Sequence, residues 1–191
     1  MSGSKVSVNS QRQDVPRSGF VYDCLVRQLN ASFWKTIAAT VAAASNKIRL
    51  SGGGEIASYT QFKYGIFRFA LNLPLAPETG EGKKFGLLLP SAVDVGSMYF
   101  DITDDVFSAV SYDENGVVQT TVIAWDSYEA AEHIYEIEWE KDFIIFKVDG
   151  LVVATHQTRV GSVPLPLYLV NADSNNEDLG YILIKETAQY V

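Results

Sequence analysis

Acidic and hydroxyl side chains recur at every second position in one segment near the middle of the chain. The segment from Ser97 to Thr103 has the composition of a strand, and side chains alternate between the two faces of a strand. Asp101 therefore shares a face with Thr103, and also with Asp105 if the strand continues that far. Two carboxylates on one face could serve as acid and base in general acid–base catalysis. The alternative is that residues 103–105 form a solvated turn.

Residues that bind metals or act as nucleophiles are few elsewhere in the chain. Cys24 is the single cysteine, so the chain forms neither an intrachain disulfide nor a cysteine-based metal site. We expect Cys24 to be a buried strand residue. His133 and His156 are far apart in sequence, and neither is followed by a second ligand at a useful spacing. The sequence therefore predicts no cofactor.

The composition predicts a single globular domain that binds neither nucleic acid nor membranes. The chain has 191 residues, of which 47% are hydrophobic and 20% charged, and this length is typical of one domain. A formal net charge of −8 disfavours contact with phosphate backbones and anionic membranes, because both attract Lys and Arg. No stretch approaches the ~20 apolar residues that a membrane span requires.

The polarity of the chain divides it into an arm and a domain. Residues 1–18 are polar and predict a flexible arm, or alternatively an arm that becomes ordered on a partner. Residues 19–191 are expected to form the folded domain. The N-terminus lacks the apolar segment of a secretory signal. This predicts a protein that stays inside a cell, or one that reaches a virion or cell surface by another route.

Strands and turns dominate the rest of the pattern. Hydrophobic and polar side chains alternate from Phe62 to Leu73 and from His133 to Glu140, which is the period of a strand with one face in water. Turn signals such as Asn115-Gly116 separate the strands at short intervals. The pattern predicts an all-β sandwich or barrel. The one helix candidate is the alanine-rich stretch from Ala31 to Ser45.

Several segments go beyond composition and share the pattern of one known family. Ser58 to Gly65 reads Ser-x-x-x-Phe-x-Tyr-Gly, His133 to Trp139 reads His-x-Tyr-x-x-x-Trp, and Val148 begins a Val-Asp-Gly turn. In this order and spacing, the chain resembles the laminarinase-like glycoside hydrolases of family 16 over roughly residues 47–186. The resemblance implies a concanavalin A-like jelly roll, which is a β-sandwich of two antiparallel sheets.

The resemblance also implies where catalysis takes place. The family carries Glu-x-Asp-x-Glu on one strand, and retaining glycosidases need their nucleophile and acid/base carboxylates about 5–5.5 Å apart. When Asp101 is aligned with the middle aspartate of the motif, Tyr99 and Thr103 take the places of the two glutamates. Neither residue is suited to act as nucleophile or acid/base. Shifting the register by two residues puts Asp101 and Asp105 at the two catalytic positions. Each side chain is then one methylene shorter than a glutamate.

Such a sheet face can also bind sugars without cleaving them, through aromatic stacking and hydrogen bonds. The residues expected to line it are Arg68, Tyr99, Asp101, Thr103, Trp125 and Tyr168. Each of these can equally be structural, and Trp139 is expected in the core. Relatives often hold a structural calcium, although loops rich in oxygen are also common without metal. The loop oxygens available for calcium belong to Asp173, Asn175, Asn176 and Asp178.

We therefore predict a non-catalytic jelly-roll module that binds either a carbohydrate or other protein subunits, including further copies of itself in a homo-oligomer. In the second version it is a structural or decoration protein of a virion or cell surface. The alternative is a divergent retaining glycoside hydrolase that acts on β-glucans through Asp101 and Asp105.

Overall fold

The computed structural model describes most of the chain, and every structural statement below refers to those residues. They are residues 19–23, 31–38, 41–44, 47–72, 82–90, 95–104, 106–124, 131–172, 177–185 and 189–190. The predicted arm at residues 1–18 lies outside these ranges, and so do Cys24, Asp105, Trp125 and the loop at 173–176.

Sixteen β-strands account for most of the described residues, and no helix occurs among them. None of these residues therefore belongs to a helix long and apolar enough to cross a membrane. In chain order the strands are β1 (Gly19–Asp23), β2 (Trp34–Ala38), β3 (Val41–Ala44), β4 (Lys47–Leu50), β5 (Gly54–Lys63), β6 (Gly65–Asn72), β7 (Gly82–Leu87), β8 (Met98–Thr103), β9 (Val106–Tyr112), β10 (Val118–Ile123), β11 (Glu132–Trp139), β12 (Ile144–Val148), β13 (Leu151–His156), β14 (Leu165–Asn171), β15 (Glu177–Lys185) and β16 (Gln189–Tyr190).

The strands form two antiparallel sheets, each with eight strands in the described part of the chain. The first sheet has the order β13–β12–β11–β6–β15–β4–β3, and β1 also pairs with β15. The second has the order β10–β9–β8–β7–β14–β5–β16, and β2 also pairs with β5. Many neighbours, such as β6 and β15, are far apart in sequence. The predicted all-β jelly-roll sandwich is confirmed.

The core lies between the sheets and follows from alternation along each strand. Phe67 and Phe69 of β6 are completely buried, as are Tyr135 and Trp139 of β11. Burial of an aromatic side chain such as Phe stabilises the fold by about 1.5–3 kcal/mol. The indole nitrogen Nε1 of Trp139 donates a hydrogen bond of 3.1 Å to the carbonyl oxygen of Gly161. The expectation that Trp139 belongs to the core is confirmed.

Two of the predicted turns close hairpins in different ways. Asp149 and Gly150 have φ angles of 50° and 80°, the two left-handed positions that a type I′ turn requires. At the turn after β9, only Gly116 is left-handed, with φ of 75°. There the carboxylate oxygen Oδ1 of Asp113 accepts hydrogen bonds of 2.9 Å from the backbone N–H groups of Asn115 and Val117.

The described residues of the alanine-rich stretch from Ala31 to Ser45, which are 31–38 and 41–44, form a turn and two strands, so the predicted helix is wrong for them. β2 pairs with β5, and β3 pairs with β4. The β-branched Thr36, Ile37 and Val41 suit strands. Alanine favours a helix by less than about 1 kcal/mol per residue. Pairing with strands further along the chain outweighs that preference.

A buried polar cluster links the edges of the two sheets. His156 of β13 is completely buried. Its ring nitrogens lie 2.8 Å from the hydroxyl of Ser111 on β9 and 3.0 Å from the hydroxyl of Thr121 on β10. Burial lowers the pKa of His156 to about 4, so the ring is neutral near pH 7 and can donate from one nitrogen and accept at the other. At the same edge, Arg159 pairs with Asp113 at 2.9 Å.

Candidate active site on the second sheet

The outer face of the second sheet, which points away from the core, carries most of the described candidate residues. On β8, Met98, Phe100 and Ile102 are buried in the core between the sheets. Because side chains alternate along a strand, Tyr99, Asp101 and Thr103 point to the opposite side. The sequence prediction that Asp101 and Thr103 share a face is confirmed. We call this surface the Asp101 face.

The register of the strands shows which side chains accompany Asp101 across the sheet. Asp101 lies opposite Lys84 of β7, Lys84 opposite Val170 of β14, and Val170 opposite Glu55 of β5. Residues directly opposite each other in antiparallel strands point to the same face. These four residues therefore form a row across four strands, which we call the Asp101 row. All four are partly exposed.

The carboxylate of Asp101 is oriented by its neighbours and remains accessible. The hydroxyl of Thr103 donates a hydrogen bond of 2.7 Å to its Oδ1. The ammonium nitrogen Nζ of Lys84 lies 3.8 Å from its Oδ2. The side chain of Lys84 is 36% exposed and that of Asp101 is 22% exposed. The same Nζ lies 5.1 Å from the centre of the Tyr99 ring, within the range of a cation–π contact. A ligand can therefore contact the Asp101 carboxylate, whose negative charge is balanced by the positive charge of Lys84.

A second row, through Tyr99, forms a closed apolar floor beside the Asp101 row. Tyr99 lies opposite Gly86 of β7, and Gly86 opposite Tyr168 of β14. Tyr99 is only 2% exposed and Tyr168 only 7%, and both belong to one apolar cluster with Ala57, Leu88 and Val110. Stacking on a sugar requires an exposed ring face. The two tyrosines thus belong to a buried apolar cluster beside the Asp101 row and do not form open platforms.

Gly86 allows strands β7 and β8 to lie close together between the two tyrosines. A Cβ atom at this position would approach the carbonyl oxygen of Met98 to 2.5 Å and the Cα of Tyr99 to 2.6 Å. Both distances are shorter than real contacts of a Cβ atom. Any other residue at Gly86 would therefore move the backbone that carries Tyr99 and Asp101.

Glu55 is a second carboxylate on this face, and the sequence analysis missed it. The hydroxyl of Tyr168 donates a hydrogen bond of 2.8 Å to its Oε2. Burial, together with the Glu55 carboxylate, raises the pKa of Tyr168 above its ordinary value, so Tyr168 remains a donor. The two residues are 113 positions apart in sequence. Only a charged residue in an otherwise largely uncharged strand hinted at a role for Glu55.

The strand that carries Asp101 ends before Asp105. Asp104 is exposed, adopts a left-handed conformation with φ of 52° and follows the last strand residue. Thr103 pairs with Val106 of the antiparallel strand β9, so the chain reverses direction directly after Thr103. The turn that was the alternative for this segment is therefore present at Asp104. Alternation along β8 does not extend to Asp105, which itself lies outside the described residues.

Arg68, another predicted lining residue, is not part of the Asp101 face. It belongs to β6 of the first sheet and forms an ion pair with Glu136 of β11. The ammonium group of Lys147 lies 3.0 Å from the other carboxylate oxygen of Glu136. Burial raises the pKa of Glu136, but the hydrogen bonds from Arg68 and Lys147 outweigh burial, and the net pKa is lowered. Trp125, the sixth predicted lining residue, lies outside the described ranges.

The described side chains do not assemble a metal centre. Nowhere within those ranges do three or more His, Cys, Asp or Glu residues gather closely enough to hold an ion. Of the oxygen-rich loop considered for calcium, residues 173–176 lie outside those ranges.

Comparisons with known proteins connect this geometry with one family. The family model for glycosyl hydrolases family 16 matches residues 21–167. The Bacillus licheniformis β-glucanase structure is similar, with a TM-score of 0.70 and 17% sequence identity over 88% of this chain and 98% of that one. No curated protein sequence matches the chain.

Two further solved structures extend the comparison. The catalytic domain of an endo-1,3-β-glucanase (laminarinase) from Thermotoga petrophila RKU-1 has a TM-score of 0.66 and 11% identity over 90% of this chain and 98% of that one. The carbohydrate recognition domain of Emp47p has a TM-score of 0.64 and 10% identity over 88% of this chain and 97% of that one. At such low identities, these similarities establish the fold alone.

The family match corrects the prediction that this chain is not an enzyme. That prediction rested on two residue types in one strand, whereas the match extends over residues 21–167 and is to a family of glycosyl hydrolases. None of the three structures is described as a virion or assembly protein. Because well over half of the 191 residues match, the chain belongs to glycosyl hydrolase family 16.

Proposed function

We propose that this protein hydrolyses β-linked glucans at the Asp101 face. Membership of family 16 supports a glycosidase, and two of the similar structures are named as a β-glucanase and an endo-1,3-β-glucanase. The single observation that carries the proposal is the position of Asp101. It is a partly exposed carboxylate held by Thr103 and Lys84 on the outer face of the second sheet.

The chemistry requires a second carboxylate, and Asp105 is our candidate. In a retaining mechanism, Asp101 attacks the anomeric carbon while Asp105 protonates the departing glycosidic oxygen. Asp105 then removes a proton from water, and the resulting hydroxide displaces the sugar from Asp101. The positive charge of Lys84, 3.8 Å from Asp101, stabilises the carboxylate that is regenerated in the second step.

Release of reducing ends from β-1,3-glucan and from mixed β-1,3-1,4-glucan tests this proposal. We expect Asp101→Asn, which removes the nucleophile, and Asp105→Asn, which removes the acid/base group, each to lower the rate at least about 100-fold. Asp104→Asn is the matched control. It removes a charge of the same kind from the adjacent position in the sequence, and asparagine tolerates the left-handed conformation that Asp104 adopts.

Two results would contradict the proposal. One is a wild-type protein that binds these glucans but releases no reducing ends. The other is an Asp101→Asn protein that is folded, as judged by circular dichroism, and cleaves at the wild-type rate. Equal losses in Asp104→Asn and Asp105→Asn would point to the shape of the turn rather than to the Asp105 carboxylate.

A further inference from the structure

Strand β10 is an edge strand without the features that usually keep an edge from pairing. It is the last strand in the order of the second sheet, and no described strand lies beyond it. Its six residues, Val-Gln-Thr-Thr-Val-Ile, include no charged residue, proline or glycine, and its register with β9 is regular. Natural edges are commonly protected by lysine, proline, a bulge or a very short strand. None of these protects β10.

The other three strands at the ends of the two sheet orders differ from β10 in this respect. β3 has four residues and β16 has two, so both offer few backbone groups. The pairing of β13 with β12 contains a register shift between Phe146 and Lys147, and such irregularities protect an edge. Among these ends of the described sheets, β10 therefore combines length with a regular backbone.

The exposed side chains of β10 point away from the core. Asp101 lies opposite Ser108 of β9, and Ser108 lies opposite Val122 of β10. Val122 therefore shares the outer face with Asp101, and alternation places Val118 and Thr120 on that face as well. All three side chains are exposed, Val118 by 47% and Val122 by 69%. The edge of the second sheet thus carries an exposed, uncharged and β-branched stripe.

The backbone groups of the same three residues point towards the open edge. The N–H of Tyr112 on β9 donates to the carbonyl oxygen of Ser97, directly before β8, and Val118 lies opposite Tyr112. Tyr112 and Val118 therefore form a pair that is not hydrogen-bonded. Hydrogen-bonded pairs alternate with such pairs in antiparallel strands. The N–H and C=O groups of Val118, Thr120 and Val122 consequently point away from β9, where a further strand can bond to them.

From these observations we propose that this protein forms a twofold-symmetric dimer in which the β10 strands of two copies pair antiparallel. The pairing joins the second sheets of both copies into one continuous sheet. It is self-complementary about Thr120, which lies opposite Thr120 of the second copy, while Val118 lies opposite Val122 of the second copy. Pairs of threonine and of β-branched residues stabilise antiparallel strands, and a twofold interface requires a surface that matches itself. The inference does not depend on the proposed function.

The distribution of charge favours a second copy as the partner. The chain has a net charge of −8, yet no charged residue lies between Val117 and Ala124. Two copies can therefore pair here without placing like charges opposite each other, and a basic partner would find no carboxylate on β10. At the neighbouring turn, Asp113 is paired with Arg159 at 2.9 Å. Because salt screens the repulsion between the two net charges, the dimer should be tighter at high salt.

Sedimentation equilibrium of the full chain tests the inference over roughly 1 μM to 1 mM protein, the range of weak to moderate affinities. We expect Thr120→Lys to raise Kd at least about 10-fold, because two ammonium groups then face each other across the twofold axis. Thr155→Lys is the matched control. It adds the same charge at an exposed threonine of β13, the edge strand of the first sheet, and should leave Kd unchanged. Circular dichroism and urea unfolding verify that each variant is folded.

A mixture of two variants tests the register. Thr120→Glu alone should dissociate the dimer as Thr120→Lys does, but an equimolar mixture of both should form a heterodimer, because opposite charges then pair across the axis. Hydrogen exchange gives a second measurement. The amides of Val118 and Val122 should exchange more slowly in concentrated than in dilute protein, whereas those of Gln119 and Thr121, which face β9, should not change.

The outcomes separate this dimer from other occupants of the edge. A wild-type protein that stays monomeric over the whole concentration range overturns the inference, because another segment or another protein must then cover β10. A dimer that persists in folded Thr120→Lys, or that dissociates equally in Thr155→Lys, overturns it as well. Open-ended assembly, or a mixture of the lysine and glutamate variants that stays monomeric, overturns the twofold register about Thr120.

Discussion

His156 links the stability of this protein to pH. The ring is completely buried between the edges of the two sheets and forms hydrogen bonds with the hydroxyl groups of Ser111 and Thr121. Burial lowers its pKa from 6.5 to about 4. At a pH between these two values, His156 is protonated in the unfolded chain and neutral in the folded protein. The free energy of unfolding must therefore decrease as the pH falls from about 6.5 towards 4. Above that window, this residue contributes no pH dependence to the free energy of unfolding.

The size of the effect follows from the shift. One pKa unit corresponds to about 1.36 kcal/mol, so the full change from 6.5 to about 4 is worth about 3 kcal/mol. At pH 5 the unfolded histidine is almost entirely protonated and the folded one almost entirely neutral, which makes the loss about 2 kcal/mol. A domain is usually stable by only about 5–15 kcal/mol. The predicted loss is therefore large enough to measure.

Urea unfolding at pH 7, 6 and 5, followed by tryptophan fluorescence, measures this loss directly. Hydrogen bonds outweigh burial and lower the pKa of Glu136 and Asp149, so those carboxylates lose their contribution only below about pH 4.5. His156→Gln should be less stable at pH 7, and its stability should change much less between pH 6.5 and 5. His133→Gln, the control at the only other histidine, should retain most of the wild-type slope. An unchanged slope in a folded His156→Gln protein would refute the reasoning.

Three further predictions concern residues around the site and the core, and urea unfolding at pH 7 measures each change in stability. Gly86→Ala should destabilise the protein by about 1–3 kcal/mol or more, because its Cβ would collide with the backbone of β8. Trp139→Phe should cost about 1–3 kcal/mol, because the carbonyl of Gly161 loses its donor; a neutral result would show that this carbonyl finds another partner. Arg68→Ala should lower the free energy of unfolding by about 1–2 kcal/mol, because the buried Glu136 loses its ion-pair partner. Glucan cleavage by the folded protein should be unchanged, and a loss of cleavage would contradict the placement of Arg68 outside the site.

The pattern of residue types was sufficient to predict the class of fold and the direction of many side chains. Alternation gave Phe67 and Phe69 a common apolar face, and the structure buries both. It also put Asp101 and Thr103 on one face, where their side chains are hydrogen-bonded. The reason is that the direction of a side chain relative to its own strand depends on local geometry alone. The prediction of a non-catalytic protein, which was based on Tyr99 and Thr103, was wrong, because the chain matches a family of glycosyl hydrolases.

The neighbours of each strand, by contrast, were decided only by the tertiary structure. Arg68 and Asp101 both occupy alternating strands, but pairing across the chain puts them in different sheets. Glu55 meets Tyr168 across 113 residues, and Ser111 meets His156 across 45. The same long-range pairing made strands of the alanine-rich stretch that local preference assigned to a helix. Local sequence determines which face a residue occupies, whereas its partners depend on packing and hydrogen bonding between segments that no local pattern encodes.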